Sequence, residues 1–310
     1  MKILCLHGRG SSGAIFQAQT SSIRIRLEAT HPTLTFDFID GPHACSPAPG
    51  IELFYGPPYY SFYAEPKSTC EGGCVNENGT DAVSLESIKQ AHAWLKGIIA
   101  ERGPYDLVMA FSQGTALAAG ILLEHEYQKQ QQQQQQSLDM STVPDPPFKS
   151  AIFICGGAPL SFLEDIGYTI PRVTKERDRL SRKELAWAAS SERILAAGPE
   201  RWTTAMPYTS APPLSYQPLQ FQTTFDLNEI RAEISGPVKI SVPTVHIYGE
   251  RDPRYIAGLQ LAEVCEHKGG KRKVYNHGGG HEIPRFEAVS GAVADLVRWG
   301  VSAALIDEEA

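Results

Sequence analysis

Residues 108–120, VMAFSQGTALAAG, pass from an apolar strand-like run, through one serine, straight into a helix of small side chains. A chain makes that passage only when the turn at the serine is very tight, so the positions two before and two after it must be small. Here they are Ala110 and Gly114. Such a turn pushes the hydroxyl of Ser112 out at the carboxyl end of a strand. It aims the first amides of the following helix at the same point, where a developing oxyanion is stabilised. Glycine is the common residue at position 110, and the methyl of Ala110 still satisfies the steric demand. Serine is also a frequent helix N-cap with no chemical role, so the pentapeptide needs partners elsewhere in the chain.

The sheet that such a turn requires is written along the sequence. ILCL near 3 to 6, LTFDFI at 34 to 39, DLVMAF at 106 to 111, AIFIC at 151 to 155, TVHIY at 244 to 248 and KVYN at 273 to 276 are short β-type runs. Runs apolar on both faces belong to parallel strands covered by helices. Leu85, Ile88, Leu95 and Ile98 recur at helical spacing, as do Phe286, Val289, Val293 and Leu296, with Pro284 suited to a first helical turn. The alternation predicts an α/β fold, a mostly parallel doubly wound sheet of the α/β-hydrolase kind. At 310 residues the chain is expected to form a single such domain, 1–310, with insertions.

Two segments interrupt the pattern. Gln130 to Gln136 form an unbroken run followed by Pro144, Pro146 and Pro147, so residues 128–147 are expected to be a mobile low-complexity insertion. Residues 161–240 carry Leu180, Leu185, Trp187, Trp202 and many prolines, and separate two strands by far more than an ordinary connection. They read either as a cap or lid over a site or as a helical insertion packed on an edge.

Composition narrows the partners. A net charge of −7 with no basic cluster for phosphates disfavours nucleic acid. The start, MKILCLHGRG, is shorter in apolar residues than the roughly 7 to 15 of a secretory signal. No run reaches the roughly 18 apolar residues of a membrane span. A soluble, cytoplasmic protein without membrane or nucleic-acid partners is the expectation. Of the six cysteines, Cys5 and Cys155 fall in predicted strands, Cys265 in a predicted helix, and Cys45, Cys70 and Cys74 in loops. Cys70 and Cys74 would bridge if oxidised, but no second Cys/His pair stands at zinc-like spacing, so reduced, unliganded thiols are expected.

A serine hydroxyl needs a general base, and the base needs an orienting acid, in the chain order Ser, Asp, His. Asp252 follows the strand TVHIY in Gly249-Glu250-Arg251-Asp252-Pro253, with Glu250 as rival acid. His281 lies in the glycine-rich loop HGGGHEIP after the last strand, able to bend back over Ser112, and His277 is read as a structural or pocket residue. The two histidines suggest metal only weakly, because glycines between them disfavour a helix; no metal and no cofactor are expected. The loop His7-Gly8-Arg9-Gly10 after the first strand supplies a second oxyanion donor, the N–H of Arg9 or Gly10, to join that of Gln113. His7 itself is read as a brace for this loop.

ILCLHGRGSS, FDFIDGPH, GPYDLVMAFSQGTALAA, FICGGAPL, PTVHIYGERDP and HGGGHEIP, spread from residue 3 to about 290, resemble successive blocks of the FSH serine hydrolases. That family of α/β hydrolases includes fungal polyketide-cluster thioesterases. The resemblance implies Ser112 as nucleophile, Asp252 as acid and His281 as base. It also implies that the Asp40-Gly41-Pro42-His43 turn and the stretch GPPYYSFY, with Tyr59, Tyr60 and Phe62, border an acyl pocket; simple loop packing is the competing reading. The expected reaction is acyl transfer through an acyl-enzyme. It would be a thioesterase releasing a polyketide or related acyl chain, with a carboxylesterase on short or medium esters and an acyltransferase as alternatives. A non-catalytic receptor on the same fold is disfavoured because all three triad positions are filled. An acyl carrier domain is a conceivable partner for Arg172, Lys175, Arg177, Arg179, Arg182 and Lys183, although most charge runs are solvated helix faces.

Overall fold

The computed structural model describes residues 1–65, 83–135, 145–190 and 227–306. Cys70, Cys74, the 136–144 stretch and residues 191–226 with Trp202 lie outside the described residues. In chain order the strands are β1 (Lys2–Leu6), β2 (Thr35–Ile39), β3 (His43–Ala44), β4 (Tyr60–Ser61), β5 (Leu107–Phe111), β6 (Ser150–Ile154), β7 (Thr244–Tyr248) and β8 (Arg272–Asn276). The pair β3 and β4 forms a small antiparallel ribbon. The rest make a six-stranded sheet in the order β2-β1-β5-β6-β7-β8, every pair parallel. Its strands lie within a residue of the runs read from the sequence.

The helices are α1 (Gly13–Gln19), α2 (Ser21–Glu28), α3 (Leu85–Arg102), α4 (Gln113–Gln135), α5 (Leu160–Asp165), α6 (Arg172–Ala188), α7 (Leu227–Ala232), α8 (Tyr255–Glu263) and α9 (Glu287–Ile306). Because successive strand residues point to opposite faces, each doubly apolar strand feeds two cores. Leu4, Leu6, Val108, Ala110 and Phe153 pack on Ile88 and Leu95 of α3 and Leu117 and Ile121 of α4. Ile3, Cys5, Met109, Ile152 and Val245 pack on Phe16, Ile23 and Leu27 of α1 and α2 and on Val293, Val297 and Val301 of α9. Burying such a side chain contributes about 1.5–3 kcal/mol. Strand order reverses at β1, which has β2 on one side and β5 on the other. The crevice at the carboxyl ends of β1 and β5 is where doubly wound sheets place their sites.

Several boundaries differ from the sequence expectations. Helix α4 runs on to Gln135, so the first part of the glutamine tract is helical rather than a mobile insertion. Glutamine is a competent helix former, and extending an existing helix avoids the cost of nucleation. Gln130 also donates to Pro237 O at 3.2 Å. Helix α9 starts at Glu287, past Pro284, and Phe286 is 49% exposed instead of facing the core. By length and composition alone Glu287–Leu305 would cross a membrane, yet its apolar stripe is the one that covers the sheet. Cys155 is the residue just past β6, and Cys265 follows α8 in a bridge with Ile240 rather than lying in the helix. Within the 161–240 segment, α6 buries a polar face, Thr174, Arg177 and Ser181, while Trp187 is 41% exposed.

Candidate active site

Ser112 joins β5 to α4 with φ of 53°, a left-handed conformation that non-glycine residues adopt at a cost of about 1–3 kcal/mol. The surrounding structure enforces it. Ser112 N–H donates to Ile154 O of β6 at 2.9 Å, and Gly114 N–H to His7 O at 3.2 Å. A Cβ on Gly114 would sit 2.5 Å from Leu6 O, so only glycine lets α4 start against the end of β1. That contact is the physical content of the small-residue rule at this turn.

The three predicted side chains meet. His281 Nε2 lies 2.9 Å from Ser112 Oγ, and His281 Nδ1 lies 2.8 Å from Asp252 Oδ2. An ionised carboxylate only accepts, so Nδ1 carries the proton and Nε2 is left to accept from the serine hydroxyl. The Asp252 side chain is 1% exposed and that of His281 13%, with the Phe111 ring 5.2 Å from the imidazole. Burial of this kind strengthens the attraction between the acid and a protonated base. Asp252 Oδ1 accepts from Arg254 N–H at 2.7 Å. Pro253 has no N–H, so Arg254 is the first downstream amide able to close this turn, a signal carried by the Asp-Pro-Arg sequence itself. The acid and base loops touch directly: Arg251 N–H donates to Gly279 O at 2.9 Å, and a Cβ on Gly249 would fall 2.1 Å from that same oxygen.

The rival residues have other duties. Glu250 is exposed and exchanges hydrogen bonds with Asn276. His277 Nδ1 accepts from Gly279 N–H at 3.2 Å, leaving Nε2–H toward Cys155 Sγ at 3.7 Å, and burial lowers its pKa. His7 is fully buried, with Nε2 accepting from Gly41 N–H at 3.0 Å and Nδ1 donating to Gly8 O at 2.7 Å. Burial lowers its pKa too, which keeps it a neutral brace.

Of the candidate oxyanion donors, Gly10 is already engaged: its N–H donates to Tyr60 O at 2.9 Å, and its φ of 67° shapes a turn packed on Ala48. The amides of Arg9 and Gln113 have no hydrogen-bond acceptor among the described residues. Gly8, beside Arg9, lies against the serine, since a Cβ there would be 3.4 Å from Ser112 Cβ. The Gln113 side chain faces elsewhere, accepting from Phe62 N–H at 2.9 Å and donating to Ser61 Oγ at 3.1 Å. It straps β4 over the turn, a role the sequence reading missed.

The proposed pocket residues divide. Asp40 accepts from Gly13 N–H at 2.8 Å, holding the start of α1 rather than a ligand. Phe62 is fully buried between His7 and Trp94, so it is core and not pocket lining. His43 and Tyr60 are half-buried on the β3–β4 ribbon, and Tyr59 donates to Tyr55 O at 2.7 Å. Among the described residues, Cys155, Asp252 and His281 place metal-ligand atoms within 4.8 Å of one another. Both imidazole nitrogens are already committed to Asp252 and Ser112, and burial raises the Cys155 thiol well above its ordinary value. A cavity of about 420 Å³ between α3, α4 and α5, bordered by His92, Lys96 and Glu124, is separate. Glu124 lies about 18 Å along α4 from Ser112 at the helical rise.

The chain is 30% identical over 299 residues to Esterase FPY3 of Fusarium mangiferae, covering 96% of this chain and 94% of that protein. It is 26% identical over 311 residues to Esterase alnB of Emericella nidulans, covering 97% and 96%. The solved structure of esterase PE8 aligns with a TM-score of 0.47 at 15% identity, over 96% of this chain and 92% of that one. The model of the serine hydrolase (FSH1) family matches residues 1–293, and the chain belongs to that family.

Proposed function

We propose that this serine hydrolase of the esterase class cleaves an acyl thioester, releasing a polyketide or related acyl chain in secondary metabolism. The observation that carries acyl transfer is the unbroken hydrogen-bonded line Ser112–His281–Asp252 beside two uncommitted amides. His281 takes the hydroxyl proton as Ser112 Oγ attacks the acyl carbon, and Asp252 holds the resulting imidazolium. The carbonyl oxygen becomes an oxyanion facing the N–H groups of Gln113 and Arg9. Collapse expels the thiol or alcohol, which receives the proton from His281, and leaves an acyl-enzyme. Water, deprotonated by the same histidine, then releases the acid and restores the serine.

The thioester reading rests on the resemblance of the sequence blocks to thioesterase members of the family. An oxygen-ester substrate is the second reading, favoured by the relatives that carry the name esterase. A carrier domain as partner draws no support from α6, whose cations are largely neutralised: Lys175 by Glu164, Arg177 by Glu233, Arg179 by Glu176 and Arg182 by Asp178. The deciding experiment compares matched acyl thioesters and oxygen esters over several chain lengths, with Ser112→Ala alongside. Strong preference for thioesters sustains chain release; preference for oxygen esters replaces it with a carboxylesterase.

A further inference from the structure

Both oxygens of the catalytic acid are engaged, one by His281 and the other by the backbone of Arg254, whose own side chain leads away into the 161–240 segment. The Arg254 guanidinium is only 7% exposed and sits 2.6 Å from Asp178 Oδ1 of α6. Its Nη1 also donates to Ser181 Oγ at 2.8 Å and to Asp178 O at 3.1 Å. The second oxygen of Asp178 takes Arg182 Nε–H at 2.8 Å. One turn earlier on the same face, Thr174 and Arg177 bind Glu233, which also accepts from Gln260 of α8 at 3.1 Å. Helix α6 is therefore seated on the acid's side of the site by a buried polar seam.

A buried seam of charges behaves differently from an apolar one. Removing one partner of a buried ion pair leaves the other uncompensated, whereas removing both is often nearly neutral. If Asp178 is neutralised, the catalytic Asp252, two residues away in the chain, is an acid whose charge still acts on the Arg254 guanidinium. A cation drawn to that carboxylate competes with the imidazolium of His281 for the same negative charge, in a site where burial magnifies the effect.

We propose that Arg254 is a positioning residue that ties α6 to the loop of the catalytic acid, and that Asp178 is the counter-charge that keeps Asp252 available to His281. The seam thus couples the seating of α6 to the strength of the base. The proposal rests on the hydrolytic reading of the triad.

The test measures ester turnover and, independently of any substrate choice, the rate at which a fluorophosphonate labels Ser112, in Asp178→Asn, Arg254→Gln and the double variant. Asp178→Asn is expected to lower kcat and the labelling rate by about tenfold or more with KM changed far less, because the defect lies in the base. Arg254→Gln is expected to lose less, since Asp178 keeps Arg182, and the double variant is expected to recover to the Arg254→Gln level. Labelling that follows this pattern while the tested ester is not turned over upholds the proposal and rejects only the substrate. A double variant no faster than Asp178→Asn, or a loss confined to KM, overturns it. Should Asp178→Asn not fold, Arg254→Lys and Arg254→Gln are compared by the same two rates. Recovery with lysine upholds the tie, and equal rates for the two variants overturn it.

Discussion

At Ser112 the backbone and the side chain answer to different neighbours. Its φ of 53° is held by β6 and by the start of α4, and its hydroxyl by His281. Asp252→Asn separates orientation from charge at little cost in shape: an amide can present its N–H to the imidazole and favour the wrong tautomer. Turnover is expected to fall by about a thousand- to ten-thousandfold with the fold intact, measured as kcat on an ester against thermal unfolding. The triad was legible in the sequence because each member stands at a strand end in a fixed chain order. The choice between Arg9 and Gly10, open in the sequence, is settled for an equally local reason. A glycine in a candidate oxyanion loop suggests an open amide, but at φ of 67° this one turns its N–H onto Tyr60 O. Which of two adjacent amides stays free is decided by the β4 segment, far away in the chain.

The small β3–β4 ribbon carries more weight than its length suggests. It braces the loop after β1 through Gly10 and Tyr60, and it is pinned to the turn at the serine by the carboxamide of Gln113. Gln113→Ala leaves the Phe62 N–H without its acceptor, a loss of about 1–3 kcal/mol. The backbone amide of residue 113 survives the change, so a purely catalytic loss is not expected. Stability measured by urea unfolding should drop, and kcat/KM should fall by roughly tenfold as the Arg9 amide loses its support. Unchanged kcat/KM in a destabilised variant would sever the ribbon from the oxyanion loop. Nothing in the stretch GPPYYSFY announces this role, because the partner is one side chain on another element. The sequence likewise leaves open whether Phe62 lines a pocket or packs its loop, since an aromatic in a loop gives no sign of the His7 and Trp94 rings that enclose it.

Across the whole molecule, the parallel sheet was legible because strands buried on both faces read as unbroken apolar runs, and Met109 or Ile152 has no solvent side on which to place a polar residue. The glutamine helix was not, since a tract without an apolar face gives no periodicity to read, and its order comes from the helix that precedes it. One polar residue inside that sheet makes stability depend on pH. His246 of β7 is 2% exposed, its Nε2 pairs with Thr244 Oγ1 at 3.1 Å, and its Nδ1 has no partner among the described residues. Burial, with help from the Arg272 charge, lowers its pKa from 6.5 to about 3. The folded state thus refuses a proton that the unfolded chain accepts. Its stabilising contribution is complete above the unfolded value of 6.5 and is lost as pH falls toward about 3. Each pH unit inside that window costs roughly 1.4 kcal/mol for one such group. His246→Gln retains a donor toward Thr244 without a titrating site. Urea unfolding at about pH 7 and about pH 5 should therefore show the parent losing roughly 2 kcal/mol more than the variant over that interval. His7 and His277, also lowered by burial, contribute the same sign to both proteins and cancel in the comparison. Equal losses in parent and variant would mean that β7 opens to water before His246 is protonated, so that the strand leading to Asp252 yields locally rather than with the sheet.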